Sequence, residues 1–310
     1  MLKKLIKWFD NDSVNIEADS SALHADWRQI DVWRVVPFVL LHLACLCVFW
    51  VGFSWFALIF AVVLYGLRMF AVTGFYHRYF SHKAFRTTRF FQFIIALLGA
   101  TAVQRGPLWW ASHHRDHHVN SDQIGDAHSP SQHGFLWSHL GWFLSNKNFV
   151  TNTQRVKDLN KFVELRWLDR FDVIVPILLA SSIYCLGEWL ESSFPILNTS
   201  GPQLLIWGFV ISTVVLYHAT FTVNSLAHIW GNRRYATSDR SRNNAWIAIF
   251  TLGEGWHNNH HHYPGSARQG FYWWELDLTY YGLKLLAACG LIWDIRTVPL
   301  SIRESKKIIN

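Results

Sequence analysis

Long apolar blocks alternate with polar, histidine-bearing segments along this chain. From Val35 to about Ala71, from Phe171 to Leu190 and from Gln203 to Val223 the residues are overwhelmingly apolar. A helix rises about 1.5 Å per residue, so about 20 apolar residues cross the roughly 30 Å hydrocarbon core of a bilayer. The first block accommodates two spans, 35–52 and 55–72, turning near Gly52 to Trp55, and the second pair falls at 171–190 and 203–223. The pattern predicts an all-α membrane protein with four transmembrane helices in two hairpins, each returning to the side it left. Residues 90–104 and Leu285 to Trp293 are apolar but too short to cross, and the former is expected along the interface or against the polar segments. The polar remainder, 73–170 and 224–310, reads as a helical cap on the side to which both hairpins return.

Composition supports the membrane reading: 51% of the 310 residues are hydrophobic and 16% aromatic, above the soluble average. The formal charge of +7 avoids the apolar blocks, with no Lys or Arg from Val35 to Leu67 or from Phe171 to Asn232. That is the positive-inside distribution and places the cap and the N-terminal segment, 1–34, in the cytoplasm. Nucleic-acid binding is excluded as a function class, since no basic helix or stacking motif accompanies the charge. Met1 to Asn11 carries three lysines followed by an acidic stretch, which does not read as a cleavable signal. Trp27 and Trp33, beside Arg28 and Arg34, suit an interfacial approach to the first span. Cys45, Cys47, Cys185 and Cys289 all sit in apolar runs without a CxxC pair and read as packing residues.

Four polar segments carry the chemistry: His77-Arg-Tyr-Phe-Ser-His82, Ser112-His-His-Arg-Asp-His-His118, Asn224-Ser-Leu-Ala-His228 and Gly253-Glu-Gly-Trp-His-Asn-Asn-His-His-His-Tyr-Pro264. The topology brings all four to one face of the membrane. His114, His117 and His118 stand at i, i+3 and i+4 and share a helix face, a spacing that His257, His260 and His261 repeat. Two such trios facing each other would bracket a metal pair. His77 and His82 are five apart, about 140° around an ideal helix, so a helix end or a π-bulge is expected there. Asn224 and His228 share a face. Imidazole suits Zn, Cu, Fe and Ni, which leaves the metal open. Nine clustered histidines exceed the needs of one ion, and two metals are the simpler reading. Asp116, Asp122, Asp126 and Glu254 are candidates for orienting ring N–H groups, with His128 beside Asp126. His24, His42, His133, His139 and His218 read as structural, and His113 and His262 as extras flanking the ligand positions. A zinc transporter or sensor would need more polar residues within its spans.

These motifs resemble the histidine boxes of the integral-membrane fatty-acid desaturases, in the stearoyl-CoA desaturase branch. His-x4-His, His-x2-His-His, Asn-x3-His and Gly-Glu-Gly-x-His-x2-His-His occur in that family's order, and the resemblance runs from about residue 35 to 295, within a single desaturase domain, 35–310. It implies a di-iron centre held by His77, His82, His114, His117, His118, His228, His257, His260 and His261, with Asn224 acting through a water. It further implies O2-dependent insertion of a cis double bond, at Δ9, into a saturated acyl chain, with acyl-CoA as the expected substrate. Gln104, Trp110 and Thr220 match positions near the bend of the substrate tunnel, and Lys147 and Phe221 stand at further substrate-contact positions. The match is incomplete around the acyl carrier. The family's Arg-Asp pair before the second box is Ser112-His113 here, its nearby Asn is Arg105, its Arg-Lys pair is Asn146-Lys147, and its tryptophan before the asparagine box is Phe221. Acyl-carrier protein and phospholipid chains are the alternative carriers. Related boxes also serve hydroxylases and alkene-forming decarboxylases. Electrons are expected from a separate ferredoxin, rubredoxin or cytochrome b5, and the expected location is a bacterial inner membrane.

Overall fold

The computed structural model describes residues 2–12 and 28–308, so Trp27 and His24 lie outside the described residues. Among the described residues, four helices are long and apolar enough to cross a membrane: Val32–Val51, Trp55–Ser81, Ile174–Ser193 and Gly201–His228. They are called the first to fourth spans below. The first begins a few residues earlier than its hydropathy suggests, because the Asp31 carboxylate caps it by accepting from the Trp33 and Arg34 amides. Arg34 is thereby drawn into the helix, and its guanidinium stacks over Phe149 at 4.6 Å. Ser54 caps the second span through the Ala57 amide, and Ser200 caps the fourth through that of Gln203.

Within each hairpin one helix matches the bilayer and its partner overshoots. The first and third spans have 20 residues, whereas the second and fourth have 27 and 28. At 1.5 Å per residue the long members project roughly 10 Å beyond the hydrocarbon. Those projections carry His77 at one and Asn224 and His228 at the other, so span length itself lifts these residues out of the lipid. Arg68 lies inside the second span, and the sequence reading made no use of it. It is fully buried and donates to Ser212 at 2.6 Å and Thr213 at 2.7 Å on the fourth span.

The cap is helical, with one short antiparallel pair, Arg86–Thr87 against Ile292–Trp293. The apolar run after the first box forms the helix Arg89–Ala100, and Pro107–Asn120 carries the second box. The core of the cap joins these two helices to the end of the second span through Phe75, Tyr76, Phe80, Ile95 and Leu108. Cys45 and Cys47 are half-buried, Cys185 and Cys289 exposed, and all four are free.

Candidate metal centre

The histidine segments converge because each sits on an element of fixed pitch. From Ala71 to Ser81 the second span winds as a π-helix, and the His82 amide donates to the His77 carbonyl at 3.3 Å. A π-turn closes on the fifth residue, so two histidines that an α-helix would splay apart come together with ring centroids 4.9 Å apart. Pro107 starts the second box helix just after Gly106, where any Cβ would meet the Asp169 backbone at 2.4 Å. The last box helix, His257–His262, follows the Gly-Glu-Gly lead. Gly253 has φ +129°, and a Cβ on Gly255 would meet the Ala248 nitrogen at 2.1 Å. Only glycine on both sides lets the chain place Glu254 in the interior.

Nine imidazoles form two groups. In one, the ligating atoms of His77, His82, His114, His118 and His260 all lie within 4.8 Å of one another; in the other, those of His117, His228, His257 and His261 do. The two trios therefore do not oppose each other as units. Each contributes an i, i+4 pair to one group and its remaining histidine to the other, so the box helices cross between the two groups.

The hydrogen bonds show what these nitrogens can accept. Nδ1 of His117 donates to Asp126 at 3.0 Å, of His228 to Asp122 at 2.8 Å and of His261 to Asp239 at 3.0 Å, while Nδ1 of His77 is paired with Glu254. A neutral ring that donates from Nδ1 carries a bare lone pair on Nε2. Nε2 of His260 faces Nε2 of both His77, at 3.0 Å, and His118, at 2.9 Å, and one proton cannot serve both contacts. Nε2 of His117 and of His261 are buried without a hydrogen-bond partner. Burial, reinforced by neighbouring imidazoles, holds His82, His114, His118, His257 and His260 well below the usual histidine range, in the neutral form a metal requires. Burial also brings His261 down to about 4 despite Asp239. His117 moves up instead, since Asp126 outweighs the effect of its burial. Converging lone pairs on these rings fit a cation in each group.

Of the carboxylates proposed to orient rings, Asp122, Asp126 and Glu254 do so, and Asp116 does not. Asp116 faces outward to Arg155 and Asn152, because on its helix it points away from the His114 to His118 face. Sequence reasoning missed Asp239, whose Ser-Asp-Arg-Ser context reads as a turn. It also missed Gln269, which donates to Glu254 at 3.0 Å, and Arg78, which donates to Glu254 at 3.0 Å and to Asp277 at 2.9 Å. Buried Arg78 is adjacent to a ligand candidate, and that adjacency was the available signal. His128 packs against His117 with ring centroids 4.3 Å apart and planes tilted by 33°, and burial pushes it down to about 3. Nε2 of His113 donates to the Val150 carbonyl at 3.2 Å, and His262 stacks flat on Tyr235, so both turn away from the groups.

An apolar cavity of about 440 Å³ ends at this centre, within the range of small-molecule sites. Gln104, Trp110, Thr220 and Phe221 line it, as does Asn224. Trp110 donates to Gln104 at 3.4 Å and Gln104 donates to Thr220 at 3.0 Å, so three residues expected at the bend form one hydrogen-bonded unit. Lys147 is exposed and lies outside the lining, because the short helix Asn146–Phe149 turns it outward. A second, smaller pocket between the two histidine groups is bordered by Asn224, His117 and His257.

Among the described residues, four helices long and apolar enough to cross a membrane and two largely buried all-histidine groups fit to hold metal ions, at the end of an apolar cavity, are the features of a membrane metalloprotein. Comparison with known proteins narrows this. The family model for fatty acid desaturase matches residues 53–289. The chain is 36% identical over 273 residues to an sn-2 palmitoyl-lipid 9-desaturase of Nostoc sp. (strain 36), covering 86% of this chain and 90% of that one. It is 37% identical over 278 residues to a chloroplastic palmitoyl-monogalactosyldiacylglycerol delta-7 desaturase of Arabidopsis thaliana, covering 87% and 70%. It is 34% identical over 287 residues to an icosanoyl-CoA 5-desaturase of Limnanthes douglasii, covering 90% and 76%. The chain belongs to the fatty acid desaturase family.

Proposed function

We propose that this oxidoreductase places a cis double bond at Δ9 in a saturated acyl chain, using O2 and two iron ions. His77, His82, His114, His118 and His260 would hold one ion. His117, His228, His257 and His261 would hold the other, with Asn224 acting through a water. An unactivated methylene offers neither an acidic proton nor a leaving group, so the bound irons supply the redox chemistry that side chains lack. The balance is one –CH2–CH2– unit, O2, two electrons and two protons giving –CH=CH– and two waters.

The residues do the remaining work. Trp110, Gln104 and Thr220 form a rigid, hydrogen-bonded shelf beside His114 on which the reacting methylenes rest. Phe221 and the other apolar walls keep water from the chain. Asp122, Asp126, Asp239 and Glu254 fix which nitrogen of each ring faces inward. A separate redox protein of the ferredoxin, rubredoxin or cytochrome b5 kind delivers the electrons to a cap on the cytoplasmic side, in a bacterial inner membrane on this reading. Names of relatives include Δ5, Δ7 and Δ9 positions, and both CoA and lipid carriers. Acyl-CoA, the carrier expected from the sequence, is thus one of two classes.

The observation that carries the proposal is the pair of buried, lone-pair-bearing histidine groups at the end of an apolar cavity. Expression in cells lacking desaturases, followed by mass spectrometry of total acyl chains, tests it. Chains lighter by two hydrogens with the bond at carbon nine are expected. Hydroxylated chains, terminal alkenes or unchanged lipids would overturn it.

A further inference from the structure

The cavity wall on one side is made by helices that also face the lipid. Arg34, Phe38 and Leu41 line it from one face of the first span, and Pro176 and Ile177 line it from the third. Leu41 is about 14 Å along the helix from Val32, well inside the depth of one leaflet. Pro37 and Ile177 both line the cavity and are exposed on the outer surface, Ile177 by 49%. Cavity and membrane-facing surface therefore share residues on both helices.

The first span is fastened on its other flank. Gln203 donates to the Val51 carbonyl at 3.1 Å and Trp207 to the Gly52 carbonyl at 2.9 Å, both from the fourth span. His42 meets His218 at 3.3 Å, and His218 meets His139 at 3.0 Å, a histidine chain that ties the first span to the fourth and to the cap. Among the described residues, the seam toward the third span is occupied by the cavity.

The top of this seam is roofed by the N-terminal helix, Leu2–Phe9, whose Lys7, Trp8 and Phe9 line the cavity. The roof is pinned where Arg170 grips Asp10 at 2.7 and 2.9 Å and where Trp8 donates to the Trp33 carbonyl at 2.6 Å. Lys7, Arg34 and Arg105 line the roofed end, where Lys7 pairs with Asp31 at 3.9 Å and Arg105 with Asp172 at 2.7 Å. An apolar slot open at acyl depth with cationic side chains at its upper end matches a membrane glycerolipid. Its ester and phosphodiester would lie under the roof while one chain enters the slot and the other stays in the leaflet.

We infer that the seam between the first and third spans is a lateral portal through which a bilayer glycerolipid inserts one acyl chain. This rests on the desaturase reading and specifies its substrate as lipid-linked. A chain supplied from the water as acyl-CoA would instead have to pass the roof.

The test uses the full chain in vesicles of dipalmitoyl phosphatidylglycerol, with palmitoyl-CoA as the alternative source. Leu41→Trp and Ile177→Trp narrow the portal, and Leu46→Trp, on the same first span but outside the lining, is the control. Two readouts are taken: lipid retained per chain after gentle solubilisation, by mass spectrometry, and desaturation of each source. The portal predicts that wild type and Leu46→Trp retain phosphatidylglycerol and desaturate it. It predicts that the two portal variants lose the retained lipid and desaturate the vesicle lipid about tenfold more slowly, a cost near 1.4 kcal/mol. Unchanged retention in both portal variants, or turnover of palmitoyl-CoA with the phospholipid untouched, would overturn it. Retention is scored independently of turnover. A portal-dependent retention without any desaturation would therefore count against the enzymatic reading alone.

Discussion

Glu254→Gln separates the structural and metal-holding duties of one buried carboxylate. Glu254 is buried, with Oε1 accepting from Arg78 at 3.0 Å and Oε2 from Gln269 at 3.0 Å and from His77. A glutamine has one acceptor and one donor end, so its amide NH2 must face either the Arg78 guanidinium or the His77 and Gln269 donors. Breaking a buried charge pair by removing one partner costs about 3–5 kcal/mol. The lower end applies here, because Arg78 keeps Asp277 at 2.9 and 3.1 Å and the Ala267 carbonyl at 2.7 Å. About 3 kcal/mol corresponds to a fall in Tm of roughly 6 °C. Losing the carboxylate behind His77 should also weaken metal binding about 10- to 100-fold. Melting of the metal-free protein reads the first effect, and metal retained against a graded chelator reads the second. Asp277→Asn removes the other partner of Arg78 without touching a ligand ring, so it should lower Tm and leave metal affinity unchanged. Equal metal loss in both variants, or an unaltered Glu254→Gln protein, would refute the division of roles.

Two further outcomes follow from the geometry. Partial burial pushes Asp158 up, but its ion pairs with Arg115 at 2.7 Å and Lys83 at 2.8 Å prevail and bring it down to about 2 from 3.8. Because the folded value is depressed, the stabilisation is present above pH 3.8 and lost as pH falls through about 2. After allowance for its exposure it amounts to about 1 kcal/mol. Asp158→Asn should flatten the acid limb of a stability profile between those values, and an unchanged limb would contradict the assignment. Gly255→Ala forces a Cβ onto the Ala248 nitrogen at 2.1 Å, whereas at Gly265 the nearest atom is 3.9 Å away. Gly255→Ala should therefore yield protein that retains little metal on purification, and Gly265→Ala should retain it normally.

The two hairpins were legible because apolar runs of spanning length leave few alternatives. The excess length of the second and fourth spans was not, since beyond Ala71 and Val223 the helices continue through polar residues that hydropathy counts as cap. The His77 to His82 spacing did carry its own clue: five residues cannot share an α-helical face, and the π-winding resolves that conflict. Division of the trios into two groups was hidden, because i, i+3, i+4 spacing shows a shared face but not how two such faces interleave. Asp116 and Asp239 show the same limit from opposite sides. Asp116 is adjacent to ligands in sequence yet turns outward, while Asp239 lies far from any box and reaches His261 through tertiary packing alone.

The carboxylates around the two groups are unevenly shared, and this predicts an order of metal loading. Two divalent ions would bring four positive charges among the rings, and four carboxylates behind those rings would offset them: Asp122, Asp126, Asp239 and Glu254. Arg78 is separately balanced by Asp277. Among the described residues only Glu254 serves the five-histidine group, through His77, whereas three carboxylates serve the four-histidine group through His228, His117 and His261. A carboxylate behind a ligating imidazole raises its basicity and contributes about tenfold or more to metal affinity. Two additional such partners outweigh one additional neutral ring. The first equivalent of a divalent metal should therefore occupy the group of His117, His228, His257 and His261. Anomalous scattering from crystals grown with one equivalent of metal reads this directly. Asp239→Asn combined with Asp126→Asn should even out the occupancy. If the first equivalent instead fills the group around His260, the number of rings rather than the charge behind them governs affinity, and the argument fails.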